Sequence, residues 1–166
     1  MALWKNGRFE ADNYAAVGDE EALPQRAAVV SLKRFLAERD ALIARSAPLG
    51  VLLQPADKIE LLAEDLPNLP LLVLAFPKFG DGRAFSLARI ARERYGFKGE
   101  LRAVGDILFD RIAYMLRCGF DALDITNGPT LAALEAGKVP FSHEHYQPTG
   151  ADKARADTLK PWRRHA

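Results

Sequence analysis

A glycine-rich loop with charged residues on both sides has the residue types for binding an oxyanion. The stretch PKFGDGR places glycines on both sides of Asp81 directly before a predicted helix, so backbone N–H groups can converge at the positive end of the helix dipole. Lys78 and Arg83 add positive charge, and Ser86 adds a hydroxyl one turn into the helix. Together with Asp81 and Gly82, these side chains form a predicted oxyanion site.

The same loop also has a purely structural interpretation. Asp81 is suited to cap the helix, and Gly80 and Gly82 are suited to the turn before it. The loop is neither the dinucleotide-binding fingerprint nor the phosphate loop that ends in Gly-Lys-Ser/Thr, so it predicts no nucleotide. At the level of the sequence, both interpretations stay open.

Arg102 and Asp106 form a second charged group in the stretch GELRAVGD. Arg102 lies inside a predicted strand, where a buried guanidinium must be paired or face a cavity. The available carboxylate partners are Asp81, Glu100, Asp106 and Asp110. Two hypotheses follow: a structural ion pair that joins loop to strand, or a ligand site in which Arg102 and Asp106 complete the predicted oxyanion site.

Two other groups are weaker candidates for chemistry. His143 and His145 would share one face of an extended chain, but two histidines without a third well-spaced ligand predict no metal site. Cys118 lies at the end of a predicted helix, where the helix dipole raises a thiol pKa, so we expect a buried packing residue there.

Predicted strands and helices alternate from Pro24 onward and position these groups. The predicted strands span residues 26–31, 50–54, 71–76, 100–104 and 121–125. The predicted helices span residues 32–46, 56–66, 83–95, 106–118 and 129–138. In such architectures the loops that follow the carboxyl ends of the strands bind ligands, which is where most of the charged candidates lie.

Consecutive strand–helix units predict an α/β fold with a parallel sheet and right-handed crossovers. Two closures are open: a doubly wound sheet, or a curved sheet that resembles part of a (β/α)₈ barrel. Period-two alternation puts Glu100 and Arg102 on one face of their strand and Leu101 and Ala103 on the other, so helices do not simply cover both faces. We therefore favour the partial barrel.

The chain is predicted to form one domain with a tail. Residues 1–146 form the α/β domain, and residues 1–24 are an N-terminal embellishment of turns and short extended pieces. Residues 147–166 are polar and turn-rich, which predicts an extended, partly disordered tail. A partial barrel would leave sheet edges that a second copy could cover, so a homodimer is one expectation.

Composition restricts the class of protein. With 49% hydrophobic and 27% charged residues, the 166-residue chain fits a soluble protein with a packed core. Its 23 basic and 22 acidic residues nearly cancel, so no overall field attracts nucleic acid or an anionic membrane. A single cysteine excludes an internal disulfide. No signal peptide or bilayer-spanning run is present, and we expect a cytoplasmic location.

The motifs FPKF, DGR, GELRAVGD and RCGFDA occur in an order and spacing that resemble a bacterial family called domain of unknown function 934. The resemblance extends upstream to VVSLKRFLAERDAL and downstream to YQP. The positions that match the strongest family motifs are Lys78, Asp81, Gly82, Arg83, Ser86, Arg92, Gly99, Glu100, Arg102, Gly105, Asp106, Asp110, Arg117, Cys118, Gly119 and Phe120. The resemblance assigns no catalytic role to any of them.

What the resemblance implies about function is a link to sulfite reduction. Proteins of that family are typically encoded beside sulfite reductase and are described as oxidoreductases, so the chain is expected to be an accessory protein or an oxidoreductase component of assimilatory sulfite reduction. The sequence contains no flavin, nicotinamide, haem or iron–sulfur motif, and no cofactor is predicted. The alternative is a non-catalytic sensor or carrier of a small oxyanion.

Overall fold

The computed structural model describes residues 2–78, 80–138 and 140. Its strands are β1 (Ala2–Lys5), β2 (Arg8–Glu10), β3 (Ala15–Ala16), β4 (Ala28–Ser31), β5 (Leu49–Leu53), β6 (Leu71–Phe76), β7 (Glu100–Gly105) and β8 (Ala122–Ile125). Its α-helices are α1 (Leu32–Ala37), α2 (Arg39–Ile43), α3 (Arg83–Arg89), α4 (Phe109–Arg117) and α5 (Gly128–Glu135). His143, His145 and the predicted tail at 147–166 lie outside the described residues.

The strands form one sheet in the order β2-β1-β8-β7-β6-β5-β4-β3. All neighbours from β3 to β8 are parallel, whereas β1 is antiparallel to both β8 and β2. Because strands and helices alternate along the chain, this arrangement confirms the predicted α/β fold with a mostly parallel sheet. The N-terminal embellishment is part of the sheet, to which it adds strands at both edges.

The sheet is curled into a half-barrel. β2 and β3 lie at its two edges, and seven strand spacings would separate them by roughly 33 Å in a flat sheet. The chain between Glu10 and Ala15 can span only about 18 Å, so the edges must approach one another. This curvature confirms the expectation drawn from the alternation in β7.

The outer face of the curled sheet carries the hydrophobic core. Alternate residues of the central strands point outward under the helices, for example Leu72 and Leu74 of β6 and Leu101 of β7. Phe35 of α1 and Met115 of α4 are fully buried in the same cluster. The inner face therefore carries the other set of side chains, which includes Arg102.

Two predicted helices are broken into shorter elements, and the predicted helix 106–118 begins only at Phe109. The predicted helix 32–46 is divided into α1 and α2 at Glu38, whose backbone leaves the helical region. The predicted helix 56–66 is replaced by two 3₁₀ turns, Ile59–Leu62 and Leu66–Asn68. The hydrogen bonds of the first turn span three residues, for example from the Leu61 N–H to the Lys58 carbonyl at 3.2 Å. Pro67 lies after the predicted helix, inside the second turn.

The helix after β6 continues beyond α3. Residues Ile90–Arg94 form a π-helical turn, and the chain then leaves the helix through Gly96 at φ 62°. This end matches the prediction of a helix over 83–95 that is closed by a glycine. No helix in the described ranges is long and apolar enough to cross a membrane.

Candidate functional site

The carboxyl edge of the parallel sheet brings the loops after β6 and β7 side by side. Phe76 and Gly105 pair at the ends of the two strands, and the Asp106 N–H donates a 2.8 Å hydrogen bond to the Phe76 carbonyl. Gly105 has φ 106°, and a Cβ there would lie 2.4 Å from the same carbonyl oxygen. Only glycine fits this close approach, so the VGD motif has a structural cause at this position.

Asp81 and Arg83 bind each other at this edge. Arg83 Nε and Nη2 donate to the two carboxylate oxygens of Asp81 at 2.9 and 2.7 Å. The Arg83 backbone N–H also donates to Asp81 at 3.2 Å. These hydrogen bonds lower the pKa of Asp81 to about 2. Asp81 and Arg83 therefore form a local, structural ion pair, although the Arg83 side chain remains 62% exposed.

The other predicted residues of this loop are exposed. Lys78, Gly82 and Ser86 are accessible, and Asp106 is half-buried on the neighbouring loop. Chain order alone keeps Lys78 to Ser86 together, and the β6–β7 pairing adds Asp106 next to them. This set, Lys78, Asp81, Gly82, Arg83, Ser86 and Asp106, is called the carboxyl-edge cluster below.

Arg102 is separate from the carboxyl-edge cluster. It lies four residues before Asp106, about 13 Å along the strand, and its guanidinium is directed elsewhere. Nε and Nη2 donate to Glu100 at 2.9 and 2.8 Å, and Nη1 lies 2.9 Å from Asp12. The guanidinium carbon is 5.6 Å from the centre of the Tyr14 ring. The side chain is 5% exposed.

Lys5 extends this ion network across the sheet. Its amine donates to Glu100 at 2.6 Å, a contact that joins β1 to β7, and this hydrogen bond raises the pKa of Lys5. Burial by itself would raise the pKa of Glu100, but the hydrogen bonds from Lys5 and Arg102 outweigh it and lower that pKa. Burial would likewise lower the pKa of Arg102, but its contacts with Asp12 and Glu100 raise it.

We call Lys5, Asp12, Tyr14, Glu100 and Arg102 the inner-face network. Glu100 and Arg102 are residues of the sheet, whereas Asp12 and Tyr14 belong to the segment 11–14, which crosses the inner face between β2 and β3. The sequence identified Glu100 as one of four carboxylate partners of Arg102. It did not identify Asp12, because nothing in a linear pattern connects positions so far apart.

Asp124 of β8 is a further inner-face residue that the sequence analysis did not single out. It pairs with Val104 on one side and Leu3 on the other. Burial raises its pKa, and the negative charge of Asp12 acts in the same direction. The period-two pattern of DALDI, which places this carboxylate between two outward-facing apolar residues, was the available indication.

Arg92 explains several other motif positions as structural. Its Nε donates to the Gly119 carbonyl at 3.0 Å, and its Nη1 donates to the carbonyls of Phe97 and Gly99 at 2.7 and 3.0 Å. Nη2 also pairs with Asp121. A Cβ at Gly119 would lie 2.7 Å from the Arg92 side chain, so a glycine is required there. This arginine ties the π-helical turn after α3 to the loops on either side of β7.

Cys118 is buried at the end of α4, as predicted. Burial raises the pKa of its thiol, which disfavours the nucleophilic thiolate. Among residues 2–78, 80–138 and 140, no group of three or more His, Cys, Asp or Glu side chains is placed to hold a metal ion.

A cleft of about 360 Å³ lies away from both clusters. Leu49 and Pro70, at the amino ends of β5 and β6, form part of its wall together with Arg45. Ligands in α/β folds bind at the opposite edge of the sheet. The charged clusters are therefore better candidates for a functional site than this cleft.

A family model described as bacterial protein of unknown function (DUF934) matches residues 50–156. The matched range contains β6 to β8, all of β5 except its first residue, the carboxyl-edge cluster, and Glu100 and Arg102 of the inner-face network. Lys5, Asp12 and Tyr14 precede it. No curated protein and no solved structure matches the chain.

Proposed function

The chain belongs to the DUF934 family of bacterial proteins of unknown function, and we propose that it is a non-catalytic accessory protein of assimilatory sulfite reduction that acts with sulfite reductase. The link to sulfite reduction comes from the resemblance of its motifs. The accessory role, in preference to an oxidoreductase role, is supported by one observation. Both arginines that could stabilise charge in a reaction are already bound by carboxylates.

This pairing holds in both clusters. Arg83 is held by Asp81 in a two-point contact, and Arg102 is held by Glu100 and Asp12. An arginine that stabilises developing charge in a transition state must offer its N–H groups to the reacting atoms. Arginine N–H groups that are already bound by carboxylates favour a binding or scaffolding role over catalysis.

The carboxyl-edge cluster is the surface that supports docking to the reductase. Lys78 and Arg83 are exposed on the loop that follows β6. Exposed charges at the rim of an interface steer association and select partners. In this proposal the loop contacts an acidic surface of sulfite reductase, in a cytoplasmic complex that requires no cofactor on this chain.

Co-purification of the tagged full chain with sulfite reductase tests the proposal. We expect the double variant Lys78→Glu/Arg83→Glu to lose the reductase. The matched control is Arg94→Glu/Lys98→Glu, which reverses two exposed charges near the opposite end of β7 and should retain it. Equal retention by both variants would show that the loop is not the docking surface, and absence of the reductase from the wild-type eluate would overturn the accessory role.

A separate deletion tests whether the polar tail at 147–166 contributes to docking. Deletion of residues 147–166 removes Trp162 and the arginines beside it, which are residue types suited to partner contacts. We expect weaker co-purification if the tail contributes to docking. A stand-alone oxidoreductase would instead consume a reduced nicotinamide or flavin when sulfite is added, and steady consumption by the purified protein would contradict the non-catalytic role.

A sensor or carrier of a small oxyanion is the second candidate, and the exposure of Lys78 and Arg83 favours it. Asp81 competes with any external anion for Arg83. Sulfite should therefore stabilise Asp81→Asn against heat more than it stabilises the wild type, and Arg83→Ala should abolish the effect. If sulfite stabilises all three proteins equally, this function is excluded.

A further inference from the structure

We propose that the inner face around Arg102 is a binding site for a small carboxylate, and that Asp12 occupies this site as an internal competitor. The inference goes beyond the proposed accessory role, since it concerns a different face of the sheet. It rests on a buried cation that has one fixed partner and one detachable partner.

Glu100 is the fixed partner of Arg102. Both residues lie in β7, two positions apart on the same face, and Lys5 of β1 holds the second carboxylate oxygen of Glu100. Loss of Glu100 from Arg102 would require the sheet itself to change. This contact therefore remains when a ligand binds.

Asp12 is the detachable partner. It belongs to the crossing segment 11–14, and its side chain is 38% exposed while that of Arg102 is 5% exposed. Backbone hydrogen bonding to the neighbouring strands resumes at Ala15, whose N–H donates to the Ala27 carbonyl at 3.0 Å. The contacts of Asp12 and Tyr14 with Arg102 fasten the segment to the inner face. An external group that satisfies Arg102 can replace them.

The charge left after Asp12 departs defines the ligand. Lys5 and Arg102 carry two positive charges, and Glu100 carries one negative charge. A buried guanidinium without its second partner is strongly unfavourable, so the replacement must be an anion. The group that occupies the position in this structure is a carboxylate, and a guanidinium matches the planar geometry of that group.

The surrounding inner face indicates what else the ligand carries. By register, Val73 and Ala122 flank Arg102 on the neighbouring strands, and both side chains are small and apolar. Asp124 lies two positions further along β8, and none of the described residues forms a hydrogen bond or ion pair with its side chain. A ligand hydroxyl or amine next to the carboxylate would give Asp124 a hydrogen-bond donor that none of the described residues supplies.

Titration with acetate and glycolate, followed by backbone amide and arginine Nε shifts in NMR spectra, tests the site. Asp12→Asn removes the competing charge and keeps the length of the side chain. Because an attached competitor acts at a high effective concentration, its removal should tighten acetate binding about tenfold or more. The matched control is Glu10→Gln, which makes the same charge change on β2, where Glu10 pairs with Arg8.

Supporting results are tighter acetate binding by Asp12→Asn alone, with shifts at Arg102, and tighter binding of glycolate than of acetate. The preference for glycolate should disappear in Asp12→Asn/Asp124→Ala. Equal acetate affinity in the wild type, Asp12→Asn and Glu10→Gln would overturn the site, as would shifts confined to the carboxyl-edge cluster. Equal binding of the two probes by Asp12→Asn would overturn the role of Asp124.

Arg102→Lys in the Asp12→Asn background provides a further check, because a lysine keeps the charge but loses the two-point geometry. We expect this variant to bind acetate about tenfold more weakly than Asp12→Asn. If the double variant does not fold, the comparison of Asp12→Asn with Glu10→Gln decides the question by itself.

Discussion

Arginine–carboxylate contacts in the carboxyl-edge cluster and in the inner-face network use the same chemical groups but differ in exposure and in sequence separation. Arg83 contacts a carboxylate two positions away and is 62% exposed. Arg102 is 5% exposed and belongs to a network in which one contact, Lys5 to Glu100, joins residues 95 positions apart. A local pair with an exposed arginine organises a loop, whereas a long-range network around a buried arginine connects the N-terminal segment to the sheet.

The two arginines differ in how freely they can change partners because they differ in exposure to water. Water screens the Asp81–Arg83 pair and replaces either partner at little cost. Arg102 has given up most of its hydration, so its stability depends on keeping its carboxylate partners. Arg83 can therefore change partners easily. Arg102 can change only Asp12, the more exposed of its two carboxylate partners.

Removal of the buried arginine should give the largest effect. We expect Arg102→Ala to lower the free energy of unfolding by about 3 kcal/mol or more, since it leaves Glu100 half-buried with only Lys5 as a partner. Arg83→Ala should leave the urea midpoint almost unchanged. The comparison fails if urea denaturation gives the two variants similar midpoints.

The second-largest effect should come from acid, which weakens the inner-face network. The folded-state pKa of Glu100 is depressed, so its contribution to stability is present above the unfolded value of 4.5 and is lost as pH falls through the folded value. We expect Glu100→Gln to cost about 1 kcal/mol at pH 7 and to cost less at pH 3. A cost that does not depend on pH in thermal unfolding scans would mean that the charge of Glu100 is not what matters.

Asp124 should behave in the opposite sense and more weakly. Its folded-state pKa is raised above the ordinary 3.8, so the folded state is favoured at low pH and loses this advantage as pH rises through the folded value. Asp124→Asn should therefore increase the melting temperature at pH 7 and have little effect below pH 3.8. A lower melting temperature at pH 7 would indicate that the ionised carboxylate has a partner in the folded protein.

The smallest expected effect concerns Asp81. Its carboxyl should titrate near pH 2, as seen in carboxyl carbon shifts, and should return towards 3.8 in Arg83→Ala. Because its folded-state pKa is depressed, the contribution of the pair is lost as pH falls through about 2. The melting temperature at pH 7 should be only slightly lower in Arg83→Ala than in the wild type, because water screens the pair. An unchanged titration in the variant would show that Arg83 does not hold the carboxyl.

Much of the fold could be predicted because its determinants are local. The strand LLVLAF was predicted and observed at the same residues, and the helix before Gly96 ends where a glycine with positive φ allows it. Residues 56–66 were predicted as one helix, but the structure has a 3₁₀ turn at Ile59–Leu62 and a second one that begins at Leu66. Apolar residues three positions apart fit a 3₁₀ turn as well as an α-helix, so the pattern did not fix the type of helix.

The candidate site could be predicted only in part. Lys78, Asp81, Gly82, Arg83 and Ser86 lie close together because they are near neighbours in the chain. Arg102 was expected beside that loop or paired with a nearby carboxylate, and only its pairing with Glu100 follows from period-two alternation. Its second partner, Asp12, is brought to it by the curvature of the sheet, which carries the segment 11–14 across the inner face.

The sequence by itself determined the alternation of strands and helices and the separation of charged from apolar side chains on the two faces of β7, since each depends on residues a few positions apart. Only the tertiary structure decided that Arg102 lies apart from the carboxyl-edge cluster and that Asp12 reaches it. Small twists between neighbouring strands accumulate into the curl of the sheet, which brings its edges together. No short stretch of sequence encodes this accumulated curvature.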